Sequence, residues 1–233
     1  MRIWIKFTKE QPLRFLSHLD LMRLWQRAIR RARLPVVYSQ GFNPHPKMSF
    51  AAALPVGVTS EAEYLDVHFD KEITDVDINS LQSVLPNGLT IYGWRPVPTG
   101  TAALMALVGA HKWQTSLESV SAVQGRIEQL LQDTELWVER QSKKGVKVVN
   151  LRPYIYQLKA AAATNSLEMF LASGSAGGAK PREVLALLEL QSHSDVRCTE
   201  TFLKVNDFLQ SPLAVFLEEK EVSVNAKEDY YQL

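Results

Sequence analysis

Cysteine is almost absent from this 233-residue chain: Cys198 stands alone. That excludes an internal disulfide and any zinc or iron–sulfur site assembled from several cysteines of this chain. Long apolar runs are lacking too. No stretch approaches the roughly 20 apolar residues that cross a bilayer, and Met1-Arg2-Ile3-Trp4-Ile5-Lys6 is too short an apolar run for a secretory signal. The expected address is the cytoplasm. The chain also lacks a complete phosphate-loop pattern and any recognised metal-ligand spacing. Its net charge is only +1.

That small total hides an uneven distribution. Residues 1–50 hold ten Lys or Arg against Glu10 and Asp20, a balance of +8, whereas the rest hold sixteen basic and twenty-three acidic residues, a balance of −7. A strongly positive end on a nearly neutral chain presents a local field to an anionic partner, whether nucleic acid or an acidic protein. With 46% hydrophobic and 22% charged residues the composition is that of an ordinary globular protein, and the length accommodates two domains.

Periodicity predicts the elements. Arg2 to Thr8 alternates as a strand, and Ser17 with Asp20 opens a helix whose apolar set, Leu21, Leu24, Trp25, Ala28, Ile29 and Ala32, runs until Pro35. Val36-Val37-Tyr38 reads as a second strand, Gly41 to Phe50 as a loop, and Tyr64 to Phe69 as a third strand. A helix from Asp77 to Leu85 ends at Pro86-Asn87-Gly88, and Leu89 to Trp94 is a fourth strand. This is the order of a ferredoxin-like split βαβ unit, with helices on one face of an antiparallel sheet.

Pro96 to Gly100 reads as a linker, after which the pattern roughly repeats. Strands are expected over 106–117, 136–139, 146–158, 167–171 and 196–205, with helices over 120–131 and 181–190. The expectation is an α+β chain of two tandem ferredoxin-like domains. A basic first domain covers residues 1–97 and a second covers 101–217, followed by a charged, partly disordered tail over 218–233.

Four groups of residues carry candidate chemistry. On the first helix Arg23, Arg27, Arg30 and Arg31 fall on one side with no interleaved Glu, which forgoes the ion pairing that solvated helix faces commonly use. Guanidinium groups match phosphate oxygens and stack on bases, so this stripe is a candidate nucleic-acid surface. The proline-stiffened loop offers Asn43, His45 and Lys47 to a ligand, with Phe42 and Phe50 to anchor or stack. His18 and His45 are the weak candidates for acid–base chemistry, because imidazole titrates near neutral pH. A His18, Asp20 and His45 metal cluster has no supporting ligand spacing. Arg152, Lys180 and Arg182 form a candidate secondary anion site, the last two where a glycine-rich tract opens a helix. His68, His111 and His193 read as structural, and Cys198 as a buried inert thiol.

Several motifs together resemble one family. They are Arg14-Phe15-Leu16-Ser17-His18-Leu19-Asp20-Leu21-Met22-Arg23, Gly41-Phe42-Asn43-Pro44-His45-Pro46 with Ser49-Phe50, and Leu54-Pro55-Val56-Gly57-Val58 with Ser60 and Glu63-Tyr64. Leu151-Arg152-Pro153-Tyr154-Ile155 and Pro181-Arg182-Glu183-Val184-Leu185 extend the likeness to nearly the whole chain, although Ala179-Lys180 stands where an Arg would precede the proline. The chain thus resembles the radical-SAM-linked proteins, which have no assigned activity and are encoded beside, or fused to the C-terminus of, radical-SAM proteins with a cobalamin-binding-like region. The resemblance implies a radical-SAM protein as partner and a setting in RNA or ribosome metabolism, possible substrates being tRNA or rRNA. The shortage of cysteine agrees with a division of labour, since a radical-SAM centre needs a cysteine trio for its cluster. The leading expectation is a non-catalytic RNA-binding or substrate-presenting partner with no cofactor of its own. The alternatives are a metal-independent RNA-processing endonuclease and an adaptor that docks an acidic protein.

Overall fold

The computed structural model describes residues 1–142, 145–174, 177–190, 195–206, 208–215 and 230–232. The protein is mixed α+β with mostly antiparallel strands. It divides into two compact units, Met1–Val108 together with Thr201–Leu233, and Gly109–Glu200. Among the described residues no helix is long and apolar enough to cross a membrane.

The first unit opens with strand β1 (Arg2–Lys9), helix α1 (His18–Arg31), β2 (Met48–Phe50), β3 (Thr59–His68), α2 (Asp75–Ser83), β4 (Ile91–Pro96) and a short helix α3 (Leu104–Leu107). Both β4 and β3 flank β1 antiparallel, and β2 pairs antiparallel with β3. Alternation puts Ile3, Ile5 and Phe7 of β1 on one face with Leu65 and Val67 of β3, where Leu21, Trp25, Ala28 and Ile29 of α1 and Ile78 and Leu81 of α2 cover them. Trp4 and Tyr64 point to the opposite face, and they are as deeply buried. Their cover is Ala51, Val97, Leu104, Val108 and Leu203, a second core.

That second core corrects the expected linker. Pro96 to Gly100 is rich in turn formers, yet Val97 on one side of the turn and Leu104 on the other are buried over Trp4. Arg2 also ties the segment down by donating to the carbonyls of Thr101 and Ala102 at 2.6 and 2.8 Å. Burial outweighs the local turn chemistry, and the division at residues 97–101 falls inside the first unit instead of between units. Val36 to Tyr38 also departs from expectation. It contributes only isolated bridges, Val36 to Phe69 and Tyr38 to Pro46, while the strand that joins β3 is β2, within the expected loop.

The second unit contains β5 (Val108–Ser116) from Gly109 onward, α4 (Val120–Gln132), β6 (Trp137–Ser142), β7 (Gly145–Asn150), β8 (Ile155–Ala161), β9 (Ser166–Ala172) and α5 (Pro181–Leu187). Its last strand is the Arg197–Glu200 part of β10 (Arg197–Val205), whose remainder belongs to the first unit. The strand order is β10-β5-β9-β8, and β6 and β7 form a separate antiparallel hairpin. The strand expected over 146–158 is two strands, because Leu151-Arg152-Pro153-Tyr154 forms a 3-10 turn between them. Proline cannot donate into a ladder, and the Asn150 side chain takes the amides of Leu136 and Arg152. The short strands β11 (Phe208–Gln210) and β12 (Tyr230–Gln232) pair with each other, and β11 also pairs with β10. Apart from 230–232, the tail from residue 218 lies outside the described residues, as does His193.

Candidate functional site

Helix α1 is built as its sequence dictates. Ser17 caps it by accepting the Asp20 amide at 3.2 Å, and its hydroxyl donates to the Asp20 carboxylate at 2.6 Å. It ends in a Schellman turn. Arg33 adopts a left-handed φ of 57°, its amide donates to the Arg30 carbonyl, and the Leu34 amide reaches back to that of Ile29. Trp25 is fully buried, edge-on to Phe7 at 4.8 Å.

Opposite that face, Arg23, Arg27, Arg30 and Arg31 are all exposed. Arg23 has a loose ion pair with Asp20 at 3.5 Å. The other three make no ion pair or side-chain hydrogen bond with any described residue. Arg30 and Arg31 sit in the last turn, where cations also complement the helix dipole, while Arg27 lies a turn earlier.

The loop between α1 and β2 folds back on itself. The Ser39 amide donates to the His45 carbonyl at 2.8 Å, and the His45 amide donates to the Ser39 hydroxyl at 3.0 Å. Gly41, at φ 125°, makes the turn, Phe42 next to it is fully exposed, and Asn43, His45 and Lys47 are exposed. Phe42 is free to stack on a ligand, whereas Phe50 belongs to the core, 5.9 Å from Phe7.

His18 and His45 occupy different settings. His18 is half-buried with its ring against Phe50 at 5.3 Å, and His45 is exposed in the loop. Among the described residues no group of three or more His, Cys, Asp or Glu is placed to hold a metal ion.

The core beside the Arg14–His18 segment holds two charged residues that the sequence reading passed over. Lys9 is buried and donates to the carbonyls of Arg14 and Leu16, both at 3.2 Å, so its ammonium fixes the backbone leading into α1. Glu63 is buried on β3 opposite Phe7. Burial pushes its carboxyl up to about 7, against the opposing pull of the Ser60 hydroxyl and Lys9. Burial lowers Lys9 in turn, with Glu63 opposing. The strand parity carried the signal: Glu63 stands two residues before Leu65 and Lys9 two after Phe7, both at core-facing positions.

In the second unit one of the three expected anion-binding residues, Arg152, has structural work. The Arg152 guanidinium donates to the carbonyls of Leu131 and Asp133 at the end of α4, each at 3.2 Å, and to that of Ile155 at 3.3 Å. The start of α5 is already answered from within the chain, since Glu183 accepts the Lys180 amide at 2.9 Å and a two-pronged Arg140 fork at 2.7 and 2.8 Å. Burial alone would raise Glu183, but these donors outweigh it and hold the carboxyl below its ordinary range. Gly177, at φ 128°, holds a backbone conformation that favours glycine, and an added Cβ there would crowd the Tyr154 ring. Lys180 and Arg182 are exposed. Cys198 is buried, with its sulfur 3.9 Å from Nδ1 of His111.

No curated protein matches the chain. A family model described as an uncharacterized protein conserved in bacteria (DUF2344) matches residues 2–181, a span that takes in the Arg14–Asp20 segment, the proline loop and the turn at Arg152. The chain belongs to that family.

Proposed function

We propose that this protein is a cytoplasmic binding module, the RNA-recognising and substrate-presenting partner of a radical-SAM modification enzyme. The observation that supports this most is the outer face of α1. Arg27, Arg30 and Arg31 stand exposed with no acidic partner among the described residues, and the exposed loop carrying Phe42 and Lys47 follows in the chain. Guanidinium groups without a described partner, together with an exposed aromatic ring, suit a ligand that is both polyanionic and stacked, which is RNA. The radical-SAM partner rests on the resemblance of the Arg14–Arg23 and Gly41–Pro46 motifs and on the single cysteine of this chain. On this reading each unit is a ferredoxin-like split βαβ domain, which the orders β4-β1-β3-β2 and β10-β5-β9-β8 support, with β6 and β7 inserted in the second.

The test is purification without nuclease, identification of bound RNA, and affinity measured as a function of salt for wild type and His45→Ala. The affinity for that RNA should fall steeply with salt, His45→Ala should weaken binding modestly, and the RNA should stay intact. Salt-insensitive binding would sink the RNA reading. Metal-free cleavage by wild type that disappears in His45→Ala would replace it with the endonuclease.

A further inference from the structure

We propose that a cleft on the face of the first unit opposite α1 and α2 binds a phosphate monoester, the group carried by a nucleotide or an RNA end. The site goes beyond the RNA-binding reading and does not depend on it. The cleft has a volume of about 320 Å³ and is lined by Arg2, Lys47, Met48, Ser49, Asp66, His68 and Ala103. That volume lies at the small end of ligand pockets, of roughly 300–1,000 Å³.

Strand register assembles the polar groups. Arg2 of β1 is paired with His68 of β3, and Asp66 of β3 with Ser49 of β2, so strand alternation sends these four side chains to one face. Lys47 precedes β2 by one residue, and its carbonyl accepts the His68 amide at 3.0 Å. The ladder thus places Lys47 beside His68.

The ligand class follows from which donors are committed. Arg2 meets Asp66 through Nε and Nη2 at 2.9 and 2.7 Å, and its remaining bonds go to the carbonyls of Thr101 and Ala102. The planar fork that would grip a carboxylate is therefore already occupied, and its charge is balanced by Asp66. Lys47, His68 and Ser49 make no side-chain hydrogen bond to any described residue. An ammonium, an imidazole and a hydroxyl are separate point donors on different backbone positions, an arrangement suited to a tetrahedral oxyanion. His68 adds adaptability. Burial lowers its basicity, Asp66 opposes, and Arg2, Lys47 and the Met1 amino group lower it further. An anion seated among these cations reverses that balance, and the ring takes up a proton to become a further charged donor.

The experiment follows the His68 ring by NMR across a pH titration of the full chain, at constant ionic strength in chloride, with and without inorganic phosphate. Phosphate should raise the His68 pKa, and Lys47→Gln, an exposed substitution that leaves the core intact, should weaken phosphate by about tenfold or more. Parallel titrations use a nucleoside 5′-monophosphate and a short RNA with and without its terminal phosphate. A preference for the phosphorylated RNA that Lys47→Gln removes assigns the site to RNA ends, and saturation by the mononucleotide without such a preference assigns it to a free nucleotide. An unchanged His68 titration at saturating phosphate, or an equal response in Lys47→Gln, overturns the proposal. The Arg27→Glu/Arg31→Glu variant should keep the full phosphate response, which separates failure of this site from failure of the helix surface.

Discussion

The arginines of the two units differ less in number than in what answers them. In the second unit Arg126 donates to the Leu188 carbonyl and pairs with Glu189, Arg140 grips Glu183, Arg152 closes the end of α4 and Arg197 donates to Gln114. Among the described residues only Arg23 of the α1 arginines has an acidic neighbour, and that pair is long and exposed. The same residue type is therefore scaffold at those four positions of the second unit and open surface on α1. Residue chemistry alone does not separate the two roles, since a guanidinium suits carbonyls, carboxylates and phosphates alike. The partner decides.

The sharpest way to break this comparison is to ask whether α1 is anchored as its exposed face requires. Trp25 is fully buried against Phe7 and inside the core under α1 and α2. Trp25→Ala should cost roughly 3–5 kcal/mol in chemical denaturation. A loss below about 1 kcal/mol would mean that the helix presents its other side, and the arginine surface would go with it.

Buried titratable groups offer a second contrast between the units. Burial pushes Glu63 up to about 7 from 4.5, and pulls His111 of the second unit down to about 4 from 6.5. In each the neutral form is favoured, with opposite consequences for pH. Between 4.5 and 7 the folded chain binds more protons at Glu63 than the unfolded chain does, so this group's contribution to stability falls as pH rises through that window. Between 4 and 6.5 the unfolded chain binds more protons at His111, so its contribution falls as pH drops through that window. Glu63→Gln removes the first effect alone. Its stability relative to wild type should climb from pH 5 to pH 8, by on the order of 3 kcal/mol at most. A difference that stays flat with pH would show that attraction to Lys9 offsets the burial of Glu63.

Much of the first unit was legible because its local signals agree with its packing. The alternation in Arg2 to Thr8, the Ser17 cap, the apolar stripe of α1 and the stop at Pro86-Asn87-Gly88 each correspond to an element. What escaped reading was decided by distant partners. Val36 to Tyr38 has the composition of a strand, yet Met48 to Phe50 takes the place on β3. Pro96 to Gly100 has the composition of a linker, yet Val97 and Leu104 are needed over Trp4. The cleft at Lys47 and His68 draws on residues from β1, β2, β3 and the segment before α3, and no spacing in sequence connects them. The exposed arginines were readable as a stripe, but that three of them have no partner among the described residues required the fold.

The remaining prediction sets the two kinds of arginine against each other. Arg140 and Glu183 are largely shielded from solvent, with side-chain exposures of 24% and 11%, and Arg140 also donates to the Gly178 carbonyl. Arg140→Ala leaves Glu183 without its principal counterion and should cost about 1–3 kcal/mol of stability, with RNA affinity unchanged. Arg27→Glu with Arg31→Glu should do the reverse. Neither side chain has a described partner to lose, and Arg31→Glu gives up only the favourable cation at the helix C-terminus, so stability should shift by no more than about 1 kcal/mol. The field over the α1 face changes by four units of charge, however, so binding to RNA should be abolished and its salt dependence lost with it. Measuring denaturation midpoints and RNA affinity for both variants decides the matter. A folded double variant that binds as wild type does would make the α1 arginines an ordinary solvated face, and a large loss of stability would place them with the scaffold arginines of the second unit.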